Sequence, residues 1–234
     1  MTDSSIRSLH PAIEPGIFEH GPGVDEAGKG EPGEKLALLE WRFAEPLLAV
    51  SSAPLGGGLG RRAWVINAQV PLSYARLDPE AHLLELASGR GLVGPGVGML
   101  TAVDVRRRTW REEDGGATVD VSVGITTPTW AAAPDDSSDG EDRGPGTINV
   151  VGIVPERLSN AAMVNAVMSV TEAKAQALWE AGVPATGTAS DAVCILCPDH
   201  GTAHPFGGPR SEWGARRARA VHRAVVTGCG AVQP

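Results

Sequence analysis

The chain has 234 residues, of which 42% are hydrophobic and 21% charged, a balance that fits one ordinary globular domain with tails. Its formal net charge is −8. The acidic residues are concentrated in residues 1–34 and 134–145, so the remaining chain is nearly neutral. This distribution excludes a broad basic surface, and we expect no nucleic-acid partner.

The cysteines and the N-terminus point to a reducing compartment. Only Cys194 and Cys197 lie close together among the three cysteines, so the chain lacks the spaced set of a disulfide framework. The first ten residues have no apolar signal core, and no stretch is long and apolar enough to span a membrane. We therefore expect a cytoplasmic protein, while the sequence leaves its oligomeric state open.

Residues 1–34 are rich in glycine, proline and acid and have no periodicity, so we expect a disordered or loosely attached extension. The folded domain is expected over 35–228. Its first predicted strands cover 36–43, 47–52 and 63–70. The glycine-rich stretch 56–62 is interpreted as a hairpin turn, with a ligand-facing loop as the alternative.

A short helix is predicted over 79–88, with Asp78 as its cap. It ends in GRGLVG, which matches G-x-G-x-x-G. A dinucleotide fingerprint needs a strand before the glycines and a helix after them, whereas the order here is the reverse, so no cofactor is implied. In the strand-like segment 96–105 that follows, Asp104 is an isolated acid. It is either a buried carboxylate whose hydrogen bonds are satisfied or a functional group.

The segment 119–125 alternates apolar and polar residues, which predicts a strand with one buried face. We expect residues 134–145 to be a solvated acidic loop; a metal-binding loop is the alternative, but the regular spacing of a calcium site is absent. The last helix is predicted from Ser211 to about residue 226, with four arginines on a solvated face. We expect residues 229–234 to be a C-terminal tail.

The central stretch 146–198 predicts a strand, a long helix and a second strand. The side chains of this helix are small or apolar on almost every face, which indicates that the helix is buried. Against this background four polar residues fall on one stripe: Asn165, Ser169, Glu172 and Gln176. A buried carboxylate must be paired or lie in a cleft, so Glu172 becomes a candidate functional group, while Lys174 lies off this stripe.

The segment TGTASD places Thr188, Ser190 and Asp191 just before the second strand. Ligand-binding and catalytic groups favour strand ends and the adjoining loops. These three residues are therefore candidate catalytic groups, and turn and capping chemistry is the alternative for each.

Four residues after the helix have the spacing of possible zinc ligands: Cys194, Cys197, His200 and His204. Cys194 lies inside an apolar strand, however, and the separation from cysteine to histidine is far shorter than in a zinc finger. Buried cysteines are the favoured interpretation, and no metal site is predicted.

Several blocks in order resemble the adenosylcobinamide amidohydrolase (CbiZ) family: 96–105, 146–154, 158–178, 182–193 and 206–225. The similarity covers about residues 35–228. It implies hydrolysis of the amide that joins the aminopropanol arm to the corrin ring of adenosylcobinamide. The products would be adenosylcobyric acid and aminopropanol, for cobalamin salvage.

Amide hydrolysis needs an activated attacking group, a stabilised oxyanion and a proton for the departing amine. No G-x-S-x-G motif is present to support a serine-hydrolase triad. Two hypotheses remain open: a general base, Glu172 or Asp191, and a hydroxyl nucleophile from Thr188 or Ser190. Asp104 is a further catalytic candidate.

Three asparagines, Asn67, Asn149 and Asn165, suit the carboxamides of a corrin. Trp64, Trp130 or Trp213 could cover its flat surface, and Arg210 adjoins Trp213 as a further substrate-binding candidate. We expect these side chains to converge on one cavity large enough for a corrinoid. The alternative functions are a corrinoid-binding or delivery protein without chemistry, and a zinc-dependent amidohydrolase that uses the cysteine and histidine cluster.

The fold class expected from this order of elements is α+β in a single domain. Its first half is rich in strands with hairpin-like connections, and its second half supplies two long helices. A mixed sheet packed against these two helices satisfies both halves.

Overall fold

The computed structural model describes residues 13–21, 35–134 and 146–231. The strands are β1 (Gly16–His20), β2 (Leu36–Ser51), β3 (Gly58–Gln69), β4 (Gly96–Thr101), β5 (Thr109–Asp114), β6 (Ala117–Val123), β7 (Ile148–Ile153) and β8 (Ala192–Cys197). The helices are α1 (Pro79–Gly89), α2 (Asn160–Glu180) and α3 (Glu212–Gly230).

One mixed sheet contains all eight of these strands, in the order β4-β3-β2-β8-β7-β6-β5, with β1 paired to β2. Two neighbouring pairs are parallel, β3 with β4 and β7 with β8, and each pair is joined through a helix, α1 or α2. The remaining pairs are antiparallel. The predicted α+β class and the mixed sheet are therefore confirmed.

The sheet folds over itself because β2 is long enough to serve both halves. Its first part pairs with β1 and β3, and its last four residues pair with β3 and β8. Side chains from the two halves then meet in one buried cluster, which includes Leu39, Val65 and Met99 from one half and Val151 and Leu196 from the other. The two halves are stacked as layers.

The helices cover the outer faces of these two layers. On one side, Leu83 of α1 packs with Leu38 and Ile66. On the other side, α2 and α3 lie against β6, β7 and β8, in a cluster built around Met163, Val221 and similar residues. The layers therefore run helix, sheet, sheet, helix, and the two long helices cover one face as expected.

Polar side chains bridge the two stacked layers. Trp41 Nε1 donates to Asp120 Oδ2 at 3.2 Å, and Asn67 Nδ2 donates to Ser122 Oγ at 2.9 Å. The prediction of one buried face for β6 is therefore wrong, because its polar side faces the other layer instead of solvent. Burial raises the pKa of Asp120, against the opposing effect of the Arg111 guanidinium.

The N-terminal half contains two differences from the predicted elements. Gly16–His20 forms an edge strand on β2 within the extension predicted as disordered or loosely attached, and the rest of that extension lies outside the described residues. Residues 36–51 form one strand instead of two, because the chain absorbs Pro46 in a register shift between Arg42 and Leu47.

The glycine-rich stretch belongs to a hairpin between β2 and β3, as predicted, but the turn itself spans residues 52–57 and Gly58 already begins β3. Gly56 has φ +71°, and a Cβ there would lie 1.9 Å from the Gly96 carbonyl oxygen. The Arg62 guanidinium folds back onto this turn, with Nη2 2.9 Å from the Gly56 oxygen. This arginine therefore braces the turn.

The two aspartates singled out near α1 and β4 have local partners. Asp78 precedes α1 but makes no side-chain cap, since its carboxylate accepts from Arg76 instead. Asp104 lies in a turn after β4, where it accepts the Arg106 backbone N–H at 3.0 Å and faces the Arg107 guanidinium. The Asp104 carboxylate therefore has its hydrogen-bond and charge partners within this turn, outside β4.

The arginines of α3 do not all face solvent. Arg219 and Arg223 pair with acids on β5, and Arg216 pairs within the helix. Arg217 is fully buried, and burial lowers its pKa to about 10. The prediction of a single solvated basic face is wrong at this position, since Arg217 occupies the side of the helix packed on the sheet.

Residues 135–145, the main part of the predicted acidic loop, lie outside the described residues. Within the described ranges, none of the three helices has the length and apolar character needed to cross a bilayer.

Candidate active site

A cavity of about 460 Å³ opens where the carboxyl ends of β3 and β4 meet the amino ends of β7 and β8. The stacking of the layers brings these four strand ends together. The polar side chains that line the cavity are Ser52, Tyr74, Thr101, Thr147, Asn149, Ser190 and Asp191. The volume lies within the range of small-molecule sites, and the lining joins an apolar wall to a few convergent polar groups.

Two hydroxyl groups lie together on the wall of this cavity. Thr147 Oγ1 and Ser190 Oγ are 2.7 Å apart, and Ser190 Oγ donates to the Gly146 carbonyl at 3.1 Å. Because the Ser190 proton is directed to that carbonyl, the Thr147 hydroxyl is the donor to Ser190 Oγ. The Thr147 oxygen therefore keeps lone pairs for other partners.

Asp191 binds three parts of the chain beside this pair. Its Oδ1 accepts the Ile148 backbone N–H at 2.8 Å and the Thr188 hydroxyl at 2.5 Å. Its Oδ2 accepts the Thr188 backbone N–H at 3.1 Å and the ammonium group of Lys174. A carboxylate offers about four acceptor positions, and four donors occupy them here.

Lys174 reaches Asp191 from the inner face of α2, and its side chain is at least as buried as that of Asp191. Gly187 leaves the space for this ion pair, since a Cβ there would lie 2.5 Å from Lys174 Nζ and 2.3 Å from Asp191 Oδ2. A buried pair of opposite charges with further hydrogen bonds fixes the geometry of the surrounding backbone.

Asn149 occupies the inner wall of the cavity. Its Nδ2 donates to Asn67 Oδ1 at 2.8 Å and to the Leu100 carbonyl at 2.9 Å. Its Oδ1 is buried and has no hydrogen-bond partner among the described residues. The cavity wall therefore carries an unused acceptor.

Tyr74 forms part of the opposite wall, and α1 holds it there. The Tyr74 hydroxyl lies 3.1 Å from His82 Nδ1, and the two rings stack with their centroids 5.5 Å apart. Burial is the main cause that lowers the pKa of His82, with a smaller contribution from the positive charge of Arg76.

The structure brings only part of the predicted site together. Ser190, Asp191 and Asn149 line the cavity, and Thr188 contacts it through Asp191. Asn67 lies behind Asn149, with both of its amide atoms already hydrogen-bonded. The other predicted site residues do not line it: Asp104, Asn165, Glu172, Arg210 and Trp213.

The prediction that the polar stripe on α2 is buried is wrong. Glu172 and Gln176 are exposed, and Ser169 is buried only to bond the backbone at Asn165 and Gly207. The inner face of this helix is instead marked by Lys174. Its position four residues after Val170 and three before Ala177, both buried, is the periodic signal that identifies it.

Asn165, Arg210 and Trp213 lie toward the carboxyl ends of β7 and β8, away from the cavity. A Cβ on Gly208 would touch Asn165 Oδ1, and Trp213 is buried against His204. Arg210 is exposed in the turn before α3. Among the other tryptophans, Trp64 is buried beside Gly96, and Trp130 is exposed in an edge-to-face contact with Trp179.

Thr147 is one of the cavity residues that the sequence patterns do not single out, together with Ser52, Tyr74 and Thr101. It lies between Gly146 and the first residue of β7, and a threonine at the start of an apolar strand fits the strand itself. The only local sign is its position on the same side of the extended chain as Asn149.

The four possible zinc ligands do not come together. Cys194 belongs to the cluster between the layers, whereas Cys197 belongs to the cluster beneath α2, so they project from opposite faces of the sheet. His204 pairs with Glu156. Burial raises the pKa of Cys194 to about 12. Within the described ranges, no group of three or more potential metal ligands occurs.

Comparison with known proteins identifies the family. The family model described as adenosylcobinamide amidohydrolase matches residues 24–233. A protein of that name from Methanosarcina mazei is 31% identical over 186 residues, which are 76% of this chain and 88% of the relative. This chain belongs to the adenosylcobinamide amidohydrolase family.

A second adenosylcobinamide amidohydrolase, from Halobacterium salinarum, is 36% identical over 117 residues, covering 47% of this chain and 49% of the relative. Two solved structures are distantly similar. The PH0078 protein from Pyrococcus horikoshii OT3 has 11% identity and a TM-score of 0.46, covering 93% of this chain and 83% of that one. A Burkholderia beta-aminopeptidase has 14% identity and a TM-score of 0.47, covering 94% and 85%. The roles of residues in this member of the amidohydrolase family are therefore argued from its own contacts.

Proposed function

We propose that this protein hydrolyses the amide bond between aminopropanol and the corrin ring of adenosylcobinamide, in the cavity lined by Thr147, Asn149 and Ser190. The products are adenosylcobyric acid and 1-aminopropan-2-ol. Membership of the family supports the reaction and the substrate. The observation that carries the assignment of the site is the Thr147 and Ser190 hydroxyl pair, 2.7 Å apart on the cavity wall.

Thr147 supplies the attacking oxygen. As its Oγ1 bonds to the carbonyl carbon, its proton moves along the hydrogen bond to Ser190 Oγ. Ser190 in turn gives a proton to the departing nitrogen. The carbon–nitrogen bond breaks, which leaves the corrin side chain as an ester of Thr147 and releases the amine. One water then hydrolyses this ester, forms the carboxylic acid and returns the proton to Thr147.

Asp191 is a positioning residue in this proposal. Its four acceptor positions are filled, so it has none left to take a proton from water. It holds the backbone at Ile148, next to Thr147, and it follows Ser190 directly in the chain. The ion pair with Lys174 keeps both hydroxyl groups in register.

The cavity receives the aminopropanol arm, while the corrin ring lies outside. A volume of about 460 Å³ suits a small ligand, and adenosylcobinamide is far larger than that. The cavity is therefore too small to hold a whole corrinoid, in contrast to the expectation from the sequence. Val70, Tyr74 and Pro79 line the cavity. The loop that contains Tyr74 exposes Leu72 and Leu77, which form an apolar surface against which the corrin ring packs.

Turnover distinguishes this proposal from a carrier protein. Purified protein is mixed with adenosylcobinamide, and adenosylcobyric acid and aminopropanol are measured by mass spectrometry. We expect both products in equal amounts. Binding without product would support the delivery protein and overturn the proposal. The cytoplasmic location and the absence of a nucleic-acid partner stay predictions.

The same assay tests the nucleophile. Thr147→Ala removes the attacking oxygen, so we expect kcat to fall by about a thousandfold or more. Thr147→Ser keeps a hydroxyl group, and it is the matched control that retains on the order of a tenth of the activity. An alanine variant as active as the serine variant would remove Thr147 from the reaction.

A further inference from the structure

Within the part of the chain that the structure describes, the free protein leaves Asn149 Oδ1 without a hydrogen bond, which costs free energy of folding. Asn149 is 1% exposed, and its Oδ1 has no partner among the described residues. A buried carbonyl without a hydrogen bond has lost its contact with water and gained nothing in return. Such a group is expected at a place where a ligand completes the hydrogen bonding.

The orientation of the Asn149 amide is fixed by its neighbours. The Leu100 backbone carbonyl can only accept, so the group 2.9 Å from it must be the NH₂ of Asn149. The same NH₂ meets Asn67 Oδ1, while Asn67 donates through Nδ2 to Ser122. A flip of Asn149 would set its oxygen against the Leu100 oxygen. The free atom is therefore the acceptor.

Asn149 and Thr147 lie on the same side of one extended segment. The Gly124 N–H donates to the Thr147 carbonyl at 2.9 Å, which continues the pairing of β6 and β7 beyond Ile148. Side chains two residues apart in such a segment are about 6.7 Å apart. An amide whose carbon lies about 3 Å from Thr147 Oγ1 can therefore place its nitrogen between these two side chains.

From these contacts we propose that Asn149 Oδ1 accepts the N–H of the scissile amide and so selects secondary amides over esters. This inference rests on the proposed function and adds a specificity-determining residue to it. The hydrogen bond orients the leaving nitrogen during the attack by Thr147. An ester, which has oxygen in place of N–H, leaves Oδ1 unpaired and gains nothing from Asn149.

The test compares two substrates that differ at one atom. One is adenosylcobinamide, and the other is the ester formed by adenosylcobyric acid with propane-1,2-diol. The ratio of kcat/KM for the amide to that for the ester is measured in the wild-type protein and in Asn149→Ala. We expect this ratio to fall about tenfold, because only the amide loses a hydrogen bond.

Asn67→Ala is the matched control, since it breaks the same chain of hydrogen bonds without removing the acceptor on the cavity wall. Its ratio should equal that of the wild type. If Asn149→Ala does not fold, Asn149→Ser serves in its place, because the serine hydroxyl can still donate to the Leu100 carbonyl.

Equal losses on both substrates in the Asn149 variant, or an equal change of ratio in the Asn67 variant, would overturn the inference and leave Asn149 a purely structural residue. Failure of the wild-type protein to hydrolyse the amide would instead overturn the proposed function. The two failures are thus distinguishable.

Discussion

Asp191 links three elements at the cavity through one carboxylate. It accepts from the backbone of β7 at Ile148, from the loop at Thr188 and from α2 through Lys174. Glu172 lies two residues before Lys174 on the same helix but is exposed. The helix thus presents one of two neighbouring charged residues to the site and the other to solvent, and this difference provides a direct comparison.

Asp191→Asn should lower kcat about a hundredfold, because a carboxamide offers fewer acceptor positions and cannot pair with the buried Lys174 ammonium. Glu172→Gln, the matched surface change, should leave kcat within about twofold of wild type. Release of aminopropanol measures both variants. Full activity in Asp191→Asn would show that the carboxylate has no part in ordering the hydroxyl pair.

Residue patterns reveal part of this site for a physical reason. Ser190 and Asp191 stand in a polar segment before an apolar strand, where a short-range signal is sufficient. Thr147 has no such signal, because its role arises from its distance to Ser190, which lies 43 positions away in the chain. The spacing of the polar residues on α2 favours Glu172, but burial on a helix follows the apolar face, and Lys174 lies on that face.

At the scale of elements, α1 supports the cavity wall through His82. The ring is buried, stacks on Tyr74 and approaches the Tyr74 hydroxyl. Because its pKa is lowered from 6.5, the folded protein keeps His82 neutral at pH values where the unfolded chain is already protonated. The unfolded state therefore binds more protons in the window between the lowered value and 6.5, and stability falls as the pH falls through it.

His82→Gln tests this contribution. Gln can still bond the Tyr74 hydroxyl but does not titrate, so the variant should lose less unfolding free energy than wild type between about pH 7.5 and about pH 5.5. Urea unfolding at both pH values measures the difference, in which the titration of all other groups cancels. Identical losses in the two proteins would mean that His82 is not held neutral by the fold.

The elements themselves follow largely from local patterns. The glycine-rich hairpin is set by turn chemistry and the long helix α2 by a run of mainly small apolar residues, and the sequence predicts both. The edge strand β1 was missed, because its five residues gain their order only from pairing with β2. The polar side of β6 was misassigned for the same reason, since a second layer covers it.

At the scale of the whole molecule, the stacked layers create the site. The carboxyl ends of β3 and β4 reach the amino ends of β7 and β8 only because the sheet folds over along β2. No local pattern specifies this stacking, although the class of fold is visible in the order of the elements. It also explains why Asn165 and Trp213, at the other end of β7 and β8, are remote from the cavity.

The most direct measurement is a crystal structure of the Thr147→Ala variant with adenosylcobinamide bound. We predict the aminopropanol arm inside the cavity, its amide carbonyl beside position 147 and its N–H on Asn149 Oδ1, with the corrin ring against Leu72 and Leu77. An arm bound elsewhere, for instance beside Asn165 and Trp213, with the cavity between β4 and β7 left empty, would contradict the account.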